Sequence, residues 1–256
     1  MPPRRFLAET WPSGLGRHVL AEVDSTNALA LRMAPELPGP AWFLGLTQTA
    51  GRGRRARAWA SPRGNFHATL LLFPTEPPDQ VALRSFAAAL ALRDAFVGLT
   101  GLPGAFALKW PNDVLLNGAK VAGILLESAG QGGRVQHLAI GIGVNLIAHP
   151  DPALLEPGAL PAVSLLSETG LRVTPEAFLA ALAPAYAARE AQFLAAGFAA
   201  LREDWLAHAA KIGQNIRART GTATHEGRFE TIDSQGNLIL SAAGGRLAIP
   251  AAEVFF

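Results

Sequence analysis

Four short apolar runs, Ala105 to Trp110, Asp113 to Leu116, Lys120 to Ser128 and Val135 to Val144, follow one another with only two to six residues between them. The gaps hold turn formers, Asn117-Gly118 and Gly130 to Gly133. Spacing this tight favours hairpin neighbours and points to a largely antiparallel or mixed sheet. Upstream, residues 17–23 and 42–49 read as strands, with a helix between them opened by Asp24-Ser25 and ended before Pro35. His67 to Phe73 is a short apolar strand behind the turn Ser61-Pro62-Arg63-Gly64, and residues 79–98 carry apolar side chains at helical spacing. Beyond a Pro-rich stretch at 150–161, Thr174-Pro175-Glu176 starts an Ala-rich helix that runs to about Ala210, interrupted at Gly197. From Ile212 the pattern returns to short strands punctuated by Gly227, Ser234 to Asn237 and Gly244-Gly245, a small β-barrel-like tail. The expected architecture is therefore α+β: a sheet with flanking helices over residues 1–211 and a β module over 212–256.

Composition closes several routes. A chain of 256 residues, half of them apolar and 16% charged, can bury a core without staples. It has no cysteine, so disulfides, thiolate metal sites and cysteine nucleophiles are excluded. The six histidines show no ligand spacing, which argues against a zinc site. The N-terminus lacks the apolar segment of a signal peptide, and no apolar run approaches the ~18–20 residues of a membrane span. A cytoplasmic protein is expected. Net charge is only +2 although the pI is about 9.5, because 19 of the 22 basic residues are arginine. The distribution matters more than the total: no carboxylate lies between Glu36 and Glu76, where Arg52, Arg54, Arg55, Arg57 and Arg63 all fall.

That segment contains Gly51-Arg52-Gly53-Arg54-Arg55-Ala56-Arg57-Ala58-Trp59. Glycines let backbone approach an anion, and guanidinium groups neutralise phosphate. The run satisfies G-x-G-x-x-A, but it leads into Trp59 and a Ser-Pro turn rather than a helix, so a Rossmann site fails on context. A solvated Arg-rich loop is the plain alternative. Lys109-Trp110-Pro111-Asn112-Asp113 with Lys120 and Gly123 brings together two of the three lysines, suited to a carboxylate or phosphate whose charge changes in reaction, or simply to a tight turn between strands. Gly141-Ile142-Gly143-Val144-Asn145 offers backbone room and one amide. Asp24 reads most simply as a helix cap. Glu127 and Asp113 have no second carboxylate spaced for acid–base work.

Taken in order, Asp24-Ser25-Thr26-Asn27, Gln48 to Arg55 with Trp59, Lys109 to Asp113, Lys120 to Glu127 and Gly141 to Asn145 resemble the motif set of biotin protein ligases. The likeness spans nearly the whole chain, since the tail is similar to that family's SH3-like C-terminal barrel, and it implies a catalytic domain of the class II aminoacyl-tRNA synthetase-like type. It implies ATP-dependent activation of biotin to biotinyl-5′-adenylate, then transfer to a lysine of a biotin carboxyl carrier protein. By this resemblance Ser25, Thr26, Asn27 and Gln48 bind the biotin end, while Gly51, Arg52, Gly53 and Arg54 wrap the ligand, with Gly123 beneath. Lys120 and Arg54 serve catalysis. Arg54, Arg55, Arg57, Trp59, Asn112, Asp113, Lys120 and Asn145 meet ATP, whose Mg²⁺ sits near Asp113, with no tightly bound protein metal.

Two departures accompany it. Ala56 stands where family loops commonly carry glycine, and the first motif begins 24 residues in, leaving no room for a DNA-binding winged helix. No DNA or membrane partner is expected, and exposed sheet edges are compatible with a homodimer. A lipoate or octanoate ligase is the nearest alternative, disfavoured by the G-R-G-R-R loop and K-W-P-N-D. A non-enzymatic RNA-binding protein is another, disfavoured by the scarcity of aromatics on the tail's strands.

Overall fold

The computed structural model describes residues 11–151, 153 and 160–256. The N-terminal ten residues and most of the Pro-rich stretch lie outside that description. Strands β1 (Gly16–Leu20), β2 (Ala41–Gly45), β3 (Phe66–Leu72), β4 (Phe106–Lys109), β5 (Asp113–Leu116), β6 (Ala119–Ala129) and β7 (His137–Val144) form one sheet in the order β1-β2-β3-β7-β6-β5-β4. Every pairing is antiparallel except β1 with β2. That one parallel step is bridged by helix α1 (Thr26–Met33), as a parallel connection requires. The sheet is mixed, as expected from the spacing.

Residues in register share a sheet face. On one face Trp42, Leu44, Ala68, Leu70, Ile140, Ile142 and Val144 enter the main core with Phe86, Leu90 and Phe96 of α3 (Arg84–Thr100) and Phe178 and Leu182 of α5 (Pro175–Ala207). On the opposite face α1 and the turn after it cover only part of the sheet, burying Ala30 and Ala34 against Phe43 and Leu71. The rest of that face, where Thr69 aligns with Gly141 and Gly141 with Leu125, is left for other uses.

Several boundaries differ from the sequence reading. The first two strands end at Leu20 and Gly45, and the pairing resumes as an isolated bridge between Val23 and Gln48. The helix expected over 79–98 is two, α2 (Pro78–Ala82) and α3, because the Leu83 N–H bonds to the Gln80 carbonyl three residues back and tightens the turn. Asp24 is not the cap of α1. Ser25 is, its Oγ accepting from the Ala28 N–H, while Asp24 pairs with Arg32 through two contacts of 2.7 and 2.9 Å. A short helix, α4 (Leu165–Thr169), had no sequence signal beyond its Ser164 cap. Gly197 breaks α5 with φ 70°, and the helix ends at Ala207.

The tail folds as five antiparallel strands, β8 (Asn215–Arg219), β9 (Thr224–Ile232), β10 (Leu238–Ala242), β11 (Gly245–Ile249) and β12 (Glu253–Phe255), in the order β11-β10-β9-β8-β12. It is joined to the main body by the Trp110 indole, which donates to Gly236 O at 3.0 Å, and by Arg202 on α5, which donates to Ile232 O.

Phe178 is fully buried, with its ring 5.0 Å from Phe66 and 5.1 Å from Phe96. Phe178→Ala is expected to lower unfolding free energy by about 3–5 kcal/mol in urea titration. A loss below about 1 kcal/mol would show that this ring does not tie the helices to the sheet.

Candidate active site

The uncovered sheet face carries glycine where strands meet: Gly123 on β6 lies opposite Gly143 on β7, and Gly141 lies two residues away. These positions need glycine for space. A Cβ on Gly143 would collide with the Trp59 indole and one on Gly141 with the Asn27 amide, while one on Gly123 would stand 3.3 Å from both Trp59 and Lys120. Above this floor is a cavity of about 710 Å³, within the range of small-molecule sites. Of the residues to which the resemblance gives a role in binding or catalysis, all but Gly51 line it. Gly51 supports it from behind, where a Cβ would stand 2.7 Å from Ser61 Oγ and 2.8 Å from Trp59 O.

One end of the cavity is neutral and hydrogen-bonded. The Thr26 N–H donates to Gln48 Oε1 at 2.9 Å, and Thr26 Oγ1 lies 3.1 Å from the same oxygen. Gln48 Nε2 donates to Ser61 Oγ at 3.0 Å. Beneath them Thr69, fully buried, lies 2.6 Å from Asn27 Oδ1 and 2.8 Å from Thr26 Oγ1. Asn27 Nδ2 faces Leu125 O at 3.3 Å and Glu127 Oε2 at 2.8 Å, which can only accept. That fixes the amide's orientation and commits the Thr69 proton to Asn27 Oδ1. Asn27, expected to touch ligand, is thus spent on protein partners at both ends.

The other end is cationic. Lys120 Nζ stands 2.7 Å from Asp113 Oδ1, and Lys109 Nζ is 3.7 Å from Asp113 Oδ2. Burial pushes the Lys109 ammonium below the usual lysine range, with Asp113 opposing that shift. Arg54, whose pKa burial also lowers, donates from Nη1 to Asn112 Oδ1 at 3.3 Å and to Ala252 O at 3.4 Å. Asn112 in turn donates from Nδ2 to Ile124 O. Asn145 is buried and its Nδ2 donates to Val163 O, so the side chain also braces a neighbouring segment. The Trp59 ring spans the floor, with Lys120 Nζ 5.6 Å from its centroid and its own Nε1 buried without a hydrogen-bond partner.

Arg55 and Arg57 were expected at phosphates, but here they meet a residue of the tail. Glu253 Oε2 accepts from Arg55 Nη1 at 3.0 Å, Oε1 from Arg57 Nη1 at 2.6 Å, and Oε2 again from Arg219 Nη2 at 2.7 Å. Residues the sequence reading missed are Thr69, a buried polar residue in the mainly apolar strand β3, and Glu253, for which the sequence carried no signal. His67 was missed too. It lies beside Gly143 on the same face, and burial lowers its pKa to about 4.

Comparison with known proteins matches this architecture. The family described as Biotin/lipoate A/B protein ligase matches residues 19–145, and Biotin protein ligase C terminal domain matches residues 211–256. A biotin–[acetyl-CoA-carboxylase] ligase of Paracoccus denitrificans is 57% identical over 93% of this chain and 99% of its own length. Among solved structures, a biotin protein ligase from Aquifex aeolicus in complex with biotin and ATP superposes with TM-score 0.79 at 24% identity, covering 93% of this chain and 97% of that one. One from Leishmania major in complex with biotinyl-5-AMP superposes at 0.65 with 25% identity, over 92% of this chain and 99% of that one. The chain belongs to the biotin protein ligase family.

Arg57 and Arg219 hold the Glu253 carboxyl at about 2, against 4.5 ordinarily, with the Arg57 hydrogen bond the leading cause and burial opposing it. A carboxyl lowered on folding contributes stability above its unfolded pKa and loses it as pH falls toward the folded one. The stability difference between wild type and Glu253→Gln is therefore expected to shrink as pH drops from 4.5 toward 2, measured by urea midpoints. A pH-independent difference would show that this carboxylate does not anchor the loop.

Proposed function

We propose that the chain activates biotin with ATP and passes it to a lysine of the biotin carboxyl carrier protein of acetyl-CoA carboxylase. The observation that carries this reading is the polarity of the cavity: neutral donors and acceptors at one end, lysine and arginine at the other, with a bare glycine floor between. A bicyclic urea with an acid tail has the same polarity. Thr26, Gln48 and Ser25 meet the ureido ring, and the chain of the acid crosses the floor toward Lys120.

In the first step a biotin carboxylate oxygen attacks the α-phosphorus of ATP, the new O–P bond forms, and pyrophosphate leaves with the bond electrons. Negative charge passes between carboxylate, α-phosphate and leaving group, so fixed cations beside that path lower the barrier. Lys120 fits this role because Asp113 already orients its ammonium. Arg54, braced by Asn112, supplies the second charge, and Arg52, Arg55 and Arg57 add cationic surface at the mouth. Asp113 has two ammonium partners and offers no free carboxylate, and among the described residues no group of three acidic or histidine side chains could hold a metal. Mg²⁺ enters as part of the MgATP substrate near Asp113, its ligands drawn largely from the phosphates. Trp59 moves off the glycine floor to admit ligand and covers the nucleotide. In the second step the carrier's lysine amine attacks the acyl carbon, AMP leaves, and the amine proton passes to solvent or phosphate. Residues 1–211 act as the catalytic domain and 212–256 as a module that braces the Arg loop through Glu253.

Biotin-dependent ATP–pyrophosphate exchange tests the reading, with lipoate and octanoate as comparison acids. Exchange is expected with biotin alone, and exchange with lipoate but not biotin would overturn it. Lys120→Ala is expected to lower the exchange rate by about 10²–10³-fold, the usual cost of one charge-stabilising group. Near-normal exchange by the folded variant would remove Lys120 from the chemistry.

A further inference from the structure

Glu127 is half-exposed on β6, one strand residue beyond the cavity's hydrogen-bonded end, and no step above uses it. Its two oxygens point to different parts of the molecule. Oε2 accepts from Asn27 Nδ2 at 2.8 Å and Oε1 from Arg52 Nη2 at 3.3 Å. As a surface ion pair the Arg52 contact would contribute little stability, for both side chains are partly solvated. Its placement gives it another use. Asn27 is nearly inaccessible to solvent and held by Thr69 and Leu125, so the carboxylate is anchored at one oxygen before Arg52 arrives.

The Arg loop hangs from the body at few points. Ala50 N–H reaches Asp24 O at one side, and Arg54 reaches Asn112 and Ala252 further on. Within the loop, Gly53 N–H bonds Arg57 O and Trp59 N–H bonds Gly51 O, which makes the turn stiff but does not attach it to the sheet. Between those two anchorages, the described side-chain tie from loop to sheet is Arg52 to Glu127. The tie ends on Asn27, the neighbour of Thr26, and both share Thr69. The residue that meets the ureido ring and the residue that holds the loop thus rest on one buried hydroxyl.

We propose that Glu127 is a positioning residue that holds Arg52, and with it the loop at 51–59, over the cavity so that biotinyl adenylate is retained between the two half-reactions. This rests on the ligase reading above. The group is not part of the chemistry: it touches neither the acid nor the phosphates, and its loss should spare adenylate formation while loosening the cover over the product. A mixed anhydride that leaves the cavity meets water, which attacks the acyl carbon to give biotin and AMP.

The test loads the full-length enzyme with labelled biotin and ATP, then chases with unlabelled substrates and follows label on the protein. Glu127→Ala is expected to release adenylate about two- to fivefold faster than wild type, the worth of one half-solvated ion pair, with biotin-dependent exchange unchanged. Glu127→Gln keeps the shape but can offer an acceptor to only one of its two partners, so a rate between the two is expected. It also reads the proposal if the alanine variant fails to fold. In an Arg52→Ala background, Glu127→Ala should add nothing, because the partner is already gone. An unchanged release rate in Glu127→Ala, or additive effects in the double variant, would overturn the proposal while leaving the ligase reading intact. Absence of biotin-dependent exchange in the wild-type enzyme would overturn both.

Discussion

The site depends on bare backbone. A sheet face in a protein of this size is normally closed by apolar side chains against a helix, and on the α3 and α5 side this one is. On the other side Gly123, Gly141 and Gly143 withhold the side chains that would fill the space, and α1 reaches only Gly141, through Asn27. A glycine-lined face exposes no unpaired polar group, because the ladder bonds β6 to β7 and β7 to β3 satisfy the backbone. The floor can therefore be dry, flat and rigid at once. Any Cβ added at 143 would occupy the place of the Trp59 indole, so the indole and the floor are sized to each other.

Burial sorts the polar groups on that floor by task. Thr26, Asn27 and Thr69 are almost wholly inaccessible, and each is hydrogen-bonded from within the protein, as buried polar groups must be, while Thr26 Oγ1 keeps acceptor lone pairs. The resulting network holds its geometry before ligand binds. At the cationic end one carboxylate, Asp113, serves two ammoniums. Lys109, the more buried, has its charge disfavoured by desolvation, while Lys120 keeps 30% of its side chain exposed and faces the cavity. Lys109 thus helps to fix Asp113, and Asp113 in turn fixes Lys120.

How much of this could be read from the chain varied with the range of the interaction. The β4 to β7 hairpins were legible because Asn117-Gly118 and Gly130 to Gly133 are local turn signals. The parallel pairing of β1 with β2 was not, since nothing local distinguishes a strand that returns through a helix to its partner's side. Lys120, Arg54 and Asp113 were legible as motif residues, and they do converge. For Asn27, a Ser-Thr-Asn run shows donors and acceptors but not that Thr69, 42 residues away, already holds one end. Glu253 was invisible for the same reason: its partners Arg55 and Arg57 lie almost two hundred positions earlier, and a lone glutamate near a chain end carries no pattern.

These long-range contacts bear on the timing of a two-step reaction. An enzyme that makes a reactive acyl phosphate must keep its cover closed after the first step and open it to a protein nucleophile for the second. A cover held by buried, fully satisfied hydrogen bonds would open too rarely, and one held by nothing would leak. The loop at 51–59 is held by ion pairs that are half in solvent, Arg52 with Glu127 at one flank and Arg55 and Arg57 with Glu253 at the other. Such contacts are individually weak and break readily. Each carboxylate is itself anchored elsewhere, Glu127 on Asn27 and Glu253 on Arg219, so the geometry to which the loop returns is preserved when it opens. Weak ties on fixed posts give a cover that is closed by default yet can open without disturbing the floor beneath it.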